Sequence, residues 1–292
     1  MGPTLTFIAL CLVARFSYSL NDVFIGRLAR LHSGLEVAAL RGVSLGVSMS
    51  PWLLFVPASA WSALAGSAGT LLVTVALTAV ANLCQLRAAR YLPFGLRAAL
   101  MLSTMATCSV LLGWGLLGER LSALEVGLCT VLIGSSVAVA LGSHAVQEIE
   151  IDVARGATFT LLAATLMACA VFGVKQLARE THPLLAAWAW EFGSGLILLG
   201  PVLLRAGARA AGAVGRFRSI ATAALPTALA SGASVLALDF GELGLWGALG
   251  GSQILFTACL GALWHKETLG VWRWLCMSLS VACIAGLALA GS

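Results

Sequence analysis

A stripe of polar side chains crosses the first apolar run of the sequence. Arg15 is followed by Tyr18, Ser19 and Asp22 at intervals of three, four and seven residues, a spacing that places all four on one face of a helix. A charge in the middle of a membrane helix costs about 2.5–3.5 kcal/mol on insertion scales. We therefore expect the stripe to face the protein interior, where it either contacts a substrate or forms an intrahelical network that neutralises Arg15 and Asp22.

A second pair of ionisable residues stands in two other apolar runs. Arg41 and Glu191 correspond to each other at a shift of 150 residues. If the halves of the chain are inverted copies, the two side chains lie on opposite sides of the membrane midplane, about 10 Å apart along the normal at 1.5 Å per residue. One interpretation is that they bind or gate a charged or zwitterionic solute. The structural alternative is a buried ion pair that joins the halves.

Uncharged polar residues recur in neighbouring apolar runs, where their hydrogen bonds could orient a solute. They are Thr78, Asn82 and Gln85 in the third run, Thr104 in the fourth, Ser231 and Ser234 in the eighth, and Gln253 in the ninth. The alternative for each is a hydrogen bond to its own helix backbone or to a neighbouring helix.

No pattern in the sequence predicts catalysis, a cofactor or a metal ion. The G-x-x-x-x-G-K-[ST] and H-E-x-x-H motifs are absent, and the eight cysteines form no C-x-x-C pair. We expect a protein that is not an enzyme and that uses no ATP, so any energy coupling must come from a gradient of an ion or a solute.

The composition excludes a soluble protein. Of the 292 residues, 60% are hydrophobic and 10% are charged, whereas soluble domains have about 25% charged residues. The mean hydropathy is +0.99. The net charge of +5 is interpreted as arginine that flanks membrane spans, since no basic patch with interleaved aromatics predicts nucleic-acid binding.

The apolar runs predict an all-α, polytopic membrane protein. A helix of about 20 residues crosses roughly 30 Å of hydrocarbon, and ten runs have that length. The predicted spans are 4–26, 34–57, 67–90, 93–116, 122–142, 154–177, 183–205, 219–239, 243–264 and 268–290. The connections are too short to hold a soluble domain.

The second half of the chain repeats features of the first at shifts of 148 to 150 residues. The segment Gly95–Leu100 matches Gly244–Leu249 with four identities in six, and Glu119 corresponds to Glu267. Because five is an odd number, a duplicated five-helix unit enters the membrane from opposite sides in its two copies. We therefore predict a first repeat at 1–143, a polar linker at 144–153 and a second repeat at 154–292.

Several short motifs, in this order, resemble the drug/metabolite transporter superfamily in its ten-helix EamA-like branch. They are Asn21-Asp22, Arg41, Tyr91-Leu92-Pro93, Leu117–Leu121 and Glu267-Thr268-Leu269. The resemblance covers nearly the whole chain and implies two inverted halves around a cavity that faces one side at a time. It also implies a small polar substrate such as an amino acid, a nucleotide derivative, a sugar phosphate or a drug. The connection at 57–66 departs from the family pattern because it has no Lys or Arg.

The sequence and the resemblance together predict a secondary transporter for a small polar metabolite, such as an amino acid or a related compound. The transporter is expected to work by alternating access, and export is one of its expected directions. The alternative is a lipid flippase or scramblase with a laterally open groove. The predicted partners are the solute, membrane lipid and a coupling proton carried by Asp22, Glu191 or Asp239, without nucleic acid, in a monomer or homodimer.

The protein is predicted to be a multi-pass protein of the bacterial inner membrane. For the orientation, the distribution of Lys and Arg favours both termini outside, whereas the resemblance favours both inside. The family arrangement is preferred, and protease access to a tag on each terminus decides between them.

Overall fold

The structure is a computed structural model that describes residues 3–31, 33–88, 90–92, 94–141, 152–206, 213–265 and 270–290. All regular structure in these ranges is helical. The helices are α1 Pro3–Leu31, α2 Gly34–Met49, α3 Ala58–Gly66, α4 Ala68–Ala88, α5 Phe94–Leu117, α6 Ala123–Leu141, α7 Val153–Glu180, α8 Pro183–Ala206, α9 Ala213–Phe240, α10 Leu243–Leu249, α11 Ser252–His265 and α12 Val271–Ala290, with a 3-10 helix at Ser50–Phe55.

Seven of the described helical segments are long and apolar enough to cross a membrane. They are Thr4–Asn21, Gly34–Phe55, Ala68–Ala88, Leu100–Leu117, Ala154–Glu180, Pro183–Leu204 and Phe217–Phe240, and shorter apolar segments lie at Ala123–Ser135 and Trp274–Leu287. The chain is therefore a multi-pass integral membrane protein, as the composition predicted. The count of ten spans stays a prediction.

The structure corrects two of the predicted spans. The ninth, at 243–264, is broken at Gly250-Gly251 into the short helix α10 and the helix α11. The second, at 34–57, is α-helical only to Met49, and then tightens into the 3-10 helix, in which Pro51 stands near the first position. Proline has no N–H to donate to the preceding turn, so an α-helix cannot continue unchanged through it. The predicted connection at 57–66 contains α3.

Contacts between distant segments define two ends of the bundle. We call the end at which α1 begins the N-terminal end. There, the Ser67 hydroxyl, before α4, donates to the Glu180 carboxylate at the end of α7 over 2.6 Å. Phe7, in the first turns of α1, packs so closely on Gly241 that a Cβ there would overlap its ring. The end of α7 thus meets the start of α4, and the end of α9 meets the start of α1.

The main interfaces join helices from the two halves of the chain. The helix α1 packs along α9, and α4 packs along α7, while α2 packs on α8, α5 on α10 and α6 on α12. If the helices of the two halves are matched in chain order, α1 corresponds to α7 and α4 corresponds to α9. The interface between α1 and α9 therefore corresponds to the interface between α7 and α4. The two halves thus pack on each other through equivalent helices, as a twofold axis requires.

The two halves approach each other closely where α2 crosses α8. A Cβ added at Gly42 would lie 2.5 Å from the Cα of Gly195, and one added at Gly46 would overlap the ring of Phe192. Glycine therefore allows the two backbones to touch, as small residues do in membrane helix pairs. This contact brings the helices that carry Arg41 and Glu191 together at the centre of the bundle.

Candidate functional site

Arg15 is buried where α1 meets the second half of the chain. Its side chain is 2% exposed, and one terminal nitrogen donates to the Trp246 carbonyl of α10 over 3.1 Å. The guanidinium carbon lies 4.1 Å from the centre of the Trp246 ring, a cation–π contact. Its Nε atom is buried without a hydrogen-bond partner in the part of the chain that the structure describes. The dipole of the Trp246 carbonyl and the face of the Trp246 ring thus stabilise the charge of Arg15, and its Nε–H group has no described acceptor.

The helix break at Gly250-Gly251 lies beside this guanidinium. A Cβ added at Gly250 would stand 3.4 Å from a terminal nitrogen of Arg15. One turn further along the same face of α1, the Ser19 hydroxyl donates to the Gln253 carbonyl over 2.8 Å, just after the break. The break releases the Trp246 carbonyl for Arg15, because the Gly250 N–H that a continuous helix would direct to Trp246 bonds to Gly247 instead.

A chain of three hydrogen-bonding groups links α1, α9 and α8. The Ser231 hydroxyl donates to Oε1 of Glu191 over 2.5 Å, and the Tyr18 hydroxyl lies 3.1 Å from the Ser231 oxygen. Because a serine has one hydroxyl proton, Tyr18 donates to Ser231 in this arrangement. Glu191 is 4% exposed and Ser231 is fully buried. The acidic group predicted from the sequence is therefore bound by a neutral hydroxyl.

Arg41 lies near this chain but forms no ion pair with Glu191. Among the residues that the structure describes, no Lys or Arg nitrogen lies within 4.0 Å of the Glu191 carboxylate. Arg41 and Arg15 both interact electrostatically with the Tyr18 hydroxyl. The Nε atom of Arg41 is buried and has no hydrogen-bond partner within the described ranges. The structural alternative of a direct Arg41–Glu191 pair is therefore not what the structure contains.

These groups lie near the middle of the helices that are long enough to span a membrane. Counted at 1.5 Å per residue from the helix starts, Arg15, Thr78 and Glu191 are about 18, 15 and 12 Å from the N-terminal end. A hydrocarbon core is roughly 30 Å thick. We refer to Arg15, Tyr18, Arg41, Glu191 and Ser231 as the central cluster.

Two tryptophans border the central cluster and were missed by the sequence analysis. Trp190 donates from Nε1 to the Thr78 hydroxyl over 2.6 Å, and Trp246 donates to the Ser234 hydroxyl over 2.9 Å. Both rings are at most 6% exposed. Each tryptophan donates a hydrogen bond to a hydroxyl that the sequence analysis did select. A tryptophan at the same depth in another predicted span could therefore have been recognised as a partner of that hydroxyl.

The remaining predicted site residues are spread more widely. Asn82 is buried on α4 and Thr104 is half-buried on α5. Gln85 is half-buried, and its carbonyl accepts from Arg97 over 3.4 Å. Gln253 contributes its carbonyl to Ser19, as described above. The side chain of Asp22 lies outside the described residues, and so does Glu267.

A second charged group, absent from the sequence analysis, lies at the N-terminal end of the bundle. Lys175 of α7 is 1% exposed, and its Nζ lies 2.6 Å from Oε1 of Glu119 and 2.8 Å from the Gly241 carbonyl. Glu119 follows α5 and also accepts the backbone N–H groups of Leu243 over 2.9 Å and Gly244 over 3.2 Å. We call Glu119, Lys175 and this turn the end clasp.

The end clasp could have been suspected from one residue. Lys175 stands in the predicted span 154–177 and carries a charge into hydrocarbon, which is the criterion that selected Arg15. Next to the clasp, Glu242 has a buried Oε2 atom without a partner among the described residues. Burial, and then the neighbouring carboxylates of Glu119 and Glu125, raise the pKa of Glu242 above its ordinary value, while Lys175 opposes them.

An apolar groove opens on the outer surface of the bundle beside the central cluster. Its volume is about 520 Å³, and it lies between α1, α9 and α11. The lining residues are Leu12, Val13, Phe16, Ser17, Leu20, Pro226, Leu229 and Phe256. Phe16 and Phe256 meet edge to face across it, with ring centres 5.5 Å apart. The groove can take hydrocarbon, but its lining supplies no charge.

Comparison with known proteins places the chain in a family. The model of the EamA-like transporter family matches residues 5–142 and 154–289. A solved structure titled "Crystal structure of protein" superposes with a TM-score of 0.74 at 14% identity, over 100% of this chain and 96% of that one. At that identity the likeness shows the fold alone. No curated protein matches the sequence.

The family match confirms the resemblance found in the sequence motifs, and it covers both halves of the chain. Members of this family are transporters and not enzymes, which agrees with the expectation drawn from the absence of catalytic motifs. The chain belongs to the EamA-like transporter family and is a multi-pass membrane transporter of the drug/metabolite type.

Proposed function

We propose that the protein is a secondary transporter that exports a small zwitterionic metabolite, an amino acid or a related compound, by alternating access. In this proposal the repeats at 1–143 and 154–292 are inverted copies joined by the linker 144–153. The helices α10 and α11 together form the ninth of ten spans. The twofold-related packing of the halves supports this arrangement.

The observation that carries the proposal is the central cluster itself. Its charged and polar groups come from both halves, and Arg15, Ser231 and Glu191 are each less than 5% exposed near the middle of the bundle. Buried ionisable groups within a membrane are expensive and mark solute pathways. A merely structural cluster would pair its opposite charges directly, whereas this one does not.

The chemistry of the central cluster suits a zwitterion. Arg15 and Arg41 each have a buried Nε–H without a partner among the described residues, and a carboxylate is the group that guanidinium binds best. Glu191 supplies one negative charge for an ammonium group, and the face of the Trp246 ring lies against Arg15. Two positive groups and one negative group thus match the carboxylate and ammonium of an amino acid.

Alternating access requires that the halves separate at one end while they stay closed at the other. The end clasp joins Glu119 of the first half to Lys175 and the α9–α10 turn of the second. It therefore supports a state in which the N-terminal end is closed. Release of the clasp accompanies opening at that end in the proposed cycle.

The apolar groove favours one alternative, a lipid flippase or scramblase. A groove that opens sideways between α1, α9 and α11 could hold an acyl chain. A lipid headgroup would need polar contacts along the same path, and Ser17 is the only hydroxyl in the groove lining. The metabolite transporter remains the conclusion.

The proposal includes partners and a location. The protein would bind its solute, a coupling proton and membrane lipid, but no nucleic acid. It would act as a monomer or a homodimer in the bacterial inner membrane.

Flux measurements in proteoliposomes test the proposal. Purified protein is reconstituted, and uptake of an equimolar mixture of the twenty L-amino acids and of a nucleotide mixture is followed by mass spectrometry, beside the movement of a fluorescent phospholipid. We expect protein-dependent flux of one or more amino acids and none of the lipid. Lipid movement without amino-acid flux would favour the flippase.

Two variants and a matched control locate the site. Arg41→Ala and Glu191→Ala should abolish the flux while membrane insertion is unchanged. Arg218→Ala removes an exposed arginine near the start of α9 and should leave the flux as in the unmodified protein. If the two central variants transport at normal rates, the site assignment is wrong.

A further inference from the structure

We propose that Glu191 binds the coupling proton of the transport cycle and that the ammonium group of the substrate displaces this proton. The inference rests on the proposed function and deepens it, because the sequence left Asp22, Glu191 and Asp239 as equal candidates. Of the two whose side chains the structure describes, Asp239 is exposed at the end of α9 and Glu191 is buried at the centre.

The surroundings of Glu191 provide no adjacent cation to hold a permanent negative charge. The one hydrogen bond described for its carboxylate comes from the neutral Ser231 hydroxyl, and no described Lys or Arg nitrogen lies within 4.0 Å of that carboxylate. Burying an ionised carboxylate without a paired charge is far more costly than burying the neutral acid. When the site holds no substrate, a proton on Glu191 removes this cost.

Few of the charged and titratable groups around Glu191 could bind the coupling proton in its place. On the described parts of the helices packed against α8 they are Glu36 and Arg41 on α2, Cys84 and Arg87 on α4, Arg155, Cys169, Lys175, Arg179 and Glu180 on α7, and Arg218 and Asp239 on α9. Lys175 is bound to Glu119. Arg41 therefore remains as the charge on these helices that also interacts with Tyr18, which Ser231 links to Glu191.

The hydroxyl chain offers a way for the helix α1 to respond to the proton. With Glu191 ionised, protons point from Tyr18 to Ser231 and from Ser231 to Glu191. A protonated Glu191 can instead donate to Ser231, which can then donate to Tyr18, because each hydroxyl both donates and accepts. The direction of the whole chain thus follows the protonation state, and it links α8 through α9 to α1.

The exchange balances in charge and atoms. With Glu191 protonated, Arg15 and Arg41 give the central cluster a charge of two positive units. A zwitterionic amino acid binds with its carboxylate to the arginines and its ammonium to the ionised Glu191, and one proton leaves to water. One substrate therefore replaces one proton, which is the stoichiometry of antiport and which fits export driven by proton entry.

The first test needs no substrate. Infrared difference spectra of the reconstituted full-length protein between acidic and alkaline buffer should contain the carbonyl-stretching band of a protonated buried carboxyl group. In a Glu242→Gln background, which removes the buried carboxyl group beside the end clasp, Glu191→Gln should lose this band, whereas the control Asp239→Asn should keep it. A band that persists unchanged in Glu191→Gln, or no such band in the unmodified protein, would overturn the proposal.

A second variant keeps the test valid if Glu191→Gln does not fold. Glu191→Asp retains a carboxyl group and should shift the position of the band without abolishing it. A band at the unchanged position in Glu191→Asp would assign it to another residue and contradict the inference.

The second test measures the exchange itself. Adding the amino-acid mixture to purified protein in weakly buffered detergent solution should release close to one proton per protein, read with a pH-sensitive dye. Glu191→Gln should release none, and Asp239→Asn should release as much as the unmodified protein. If amino acids move in proteoliposomes but release no proton, this inference fails while the proposed function stands. If no amino acid moves at all, the proposed function fails, and the infrared result still decides whether Glu191 takes a proton.

Discussion

The central cluster and the end clasp both bury charge between the halves of the chain, but they are built differently. In the end clasp, Lys175 has a carboxylate at 2.6 Å and a carbonyl at 2.8 Å, and Glu119 accepts two backbone N–H groups besides. In the central cluster, Arg15 and Glu191 are held by a carbonyl, a ring and a hydroxyl, and not by each other.

The difference separates a group that holds one end of the bundle closed from a group that can bind a solute. A charge pair whose hydrogen bonds are satisfied within the protein has nothing left for a solute, and its worth lies in the contact that it closes. Charges held by neutral dipoles keep donors and net charge available for a ligand. We therefore expect substitutions in the clasp to act mainly on stability and those in the centre to act mainly on transport.

The largest expected effect comes from breaking the end clasp. Glu119→Gln removes the counter-charge of a Lys175 side chain that is 1% exposed, and breaking one partner of a buried pair costs about 3–5 kcal/mol. The loss should appear in the free energy of unfolding of the detergent-solubilised protein. Arg120→Gln, an exposed neighbour, is the control and should change this free energy by less than about 0.5 kcal/mol. A clasp variant as stable as the control would refute the structural role.

The next effect concerns the helix crossing that holds the central cluster together. Gly42→Ala places a Cβ 2.5 Å from the backbone of Gly195, so the helices must move apart, at about 1–3 kcal/mol of overpacking. Gly127→Ala on α6 meets no atom within 4 Å and should be neutral or stabilise the helix by about 0.4–1 kcal/mol. Thermal unfolding of the two variants checks the opposite signs, and equal shifts would contradict the close crossing.

The same chemical change in the centre should cost much less than in the clasp. Glu191→Gln replaces a carboxylate by an amide whose oxygen can still accept from Ser231, and it leaves no adjacent cation unpaired. We expect a change in unfolding free energy within about 1 kcal/mol, typical of one exchanged hydrogen bond. Chemical denaturation of Glu191→Gln beside Glu119→Gln is the measurement. Similar losses in the two variants would remove the distinction between the clusters.

The smallest effect is a pH dependence at Glu242 beside the clasp. Since the pKa of Glu242 is raised in the folded protein, the folded state keeps a proton that the unfolded state loses, and its stability falls as the pH rises above the ordinary value of 4.5. Glu242→Gln lacks this loss. Its stability relative to the unmodified protein should be unchanged below pH 4.5 and should grow above it, with Asp239→Asn as the control. A constant difference across the pH range would rule out this origin.

The sequence was sufficient to predict the features that depend on the free energy of burying individual residues in a membrane. The apolar runs predicted a helical membrane protein, and the cost of a buried charge selected Arg15, Arg41 and Glu191 as interior residues. The family motifs added the EamA-like assignment, which the family model confirms over both halves. The site residues as a set remain predictions, although five of them now lie in or beside one cluster.

The features that sequence reasoning missed depend on contacts between distant residues. Glu119 stands in a predicted connection, 56 residues from Lys175, so nothing local indicates that the two meet. The glycine pair that breaks the ninth span is equally compatible with a continuous helix. The break is seen only together with Arg15, whose guanidinium lies against Gly250 from a helix 235 residues earlier in the chain.

The central claim is that the level of the membrane at which Thr78, Arg15 and Glu191 lie opens alternately to the two sides. A variant in which the eight native cysteines are replaced and Thr78→Cys is added allows a direct test. Reconstituted protein is treated with a membrane-impermeant thiol reagent from either side, with and without the amino-acid mixture. We predict that the reagent reaches this cysteine from each side in turn and that the mixture slows the reaction. Access from one side only, or from neither, would contradict the account.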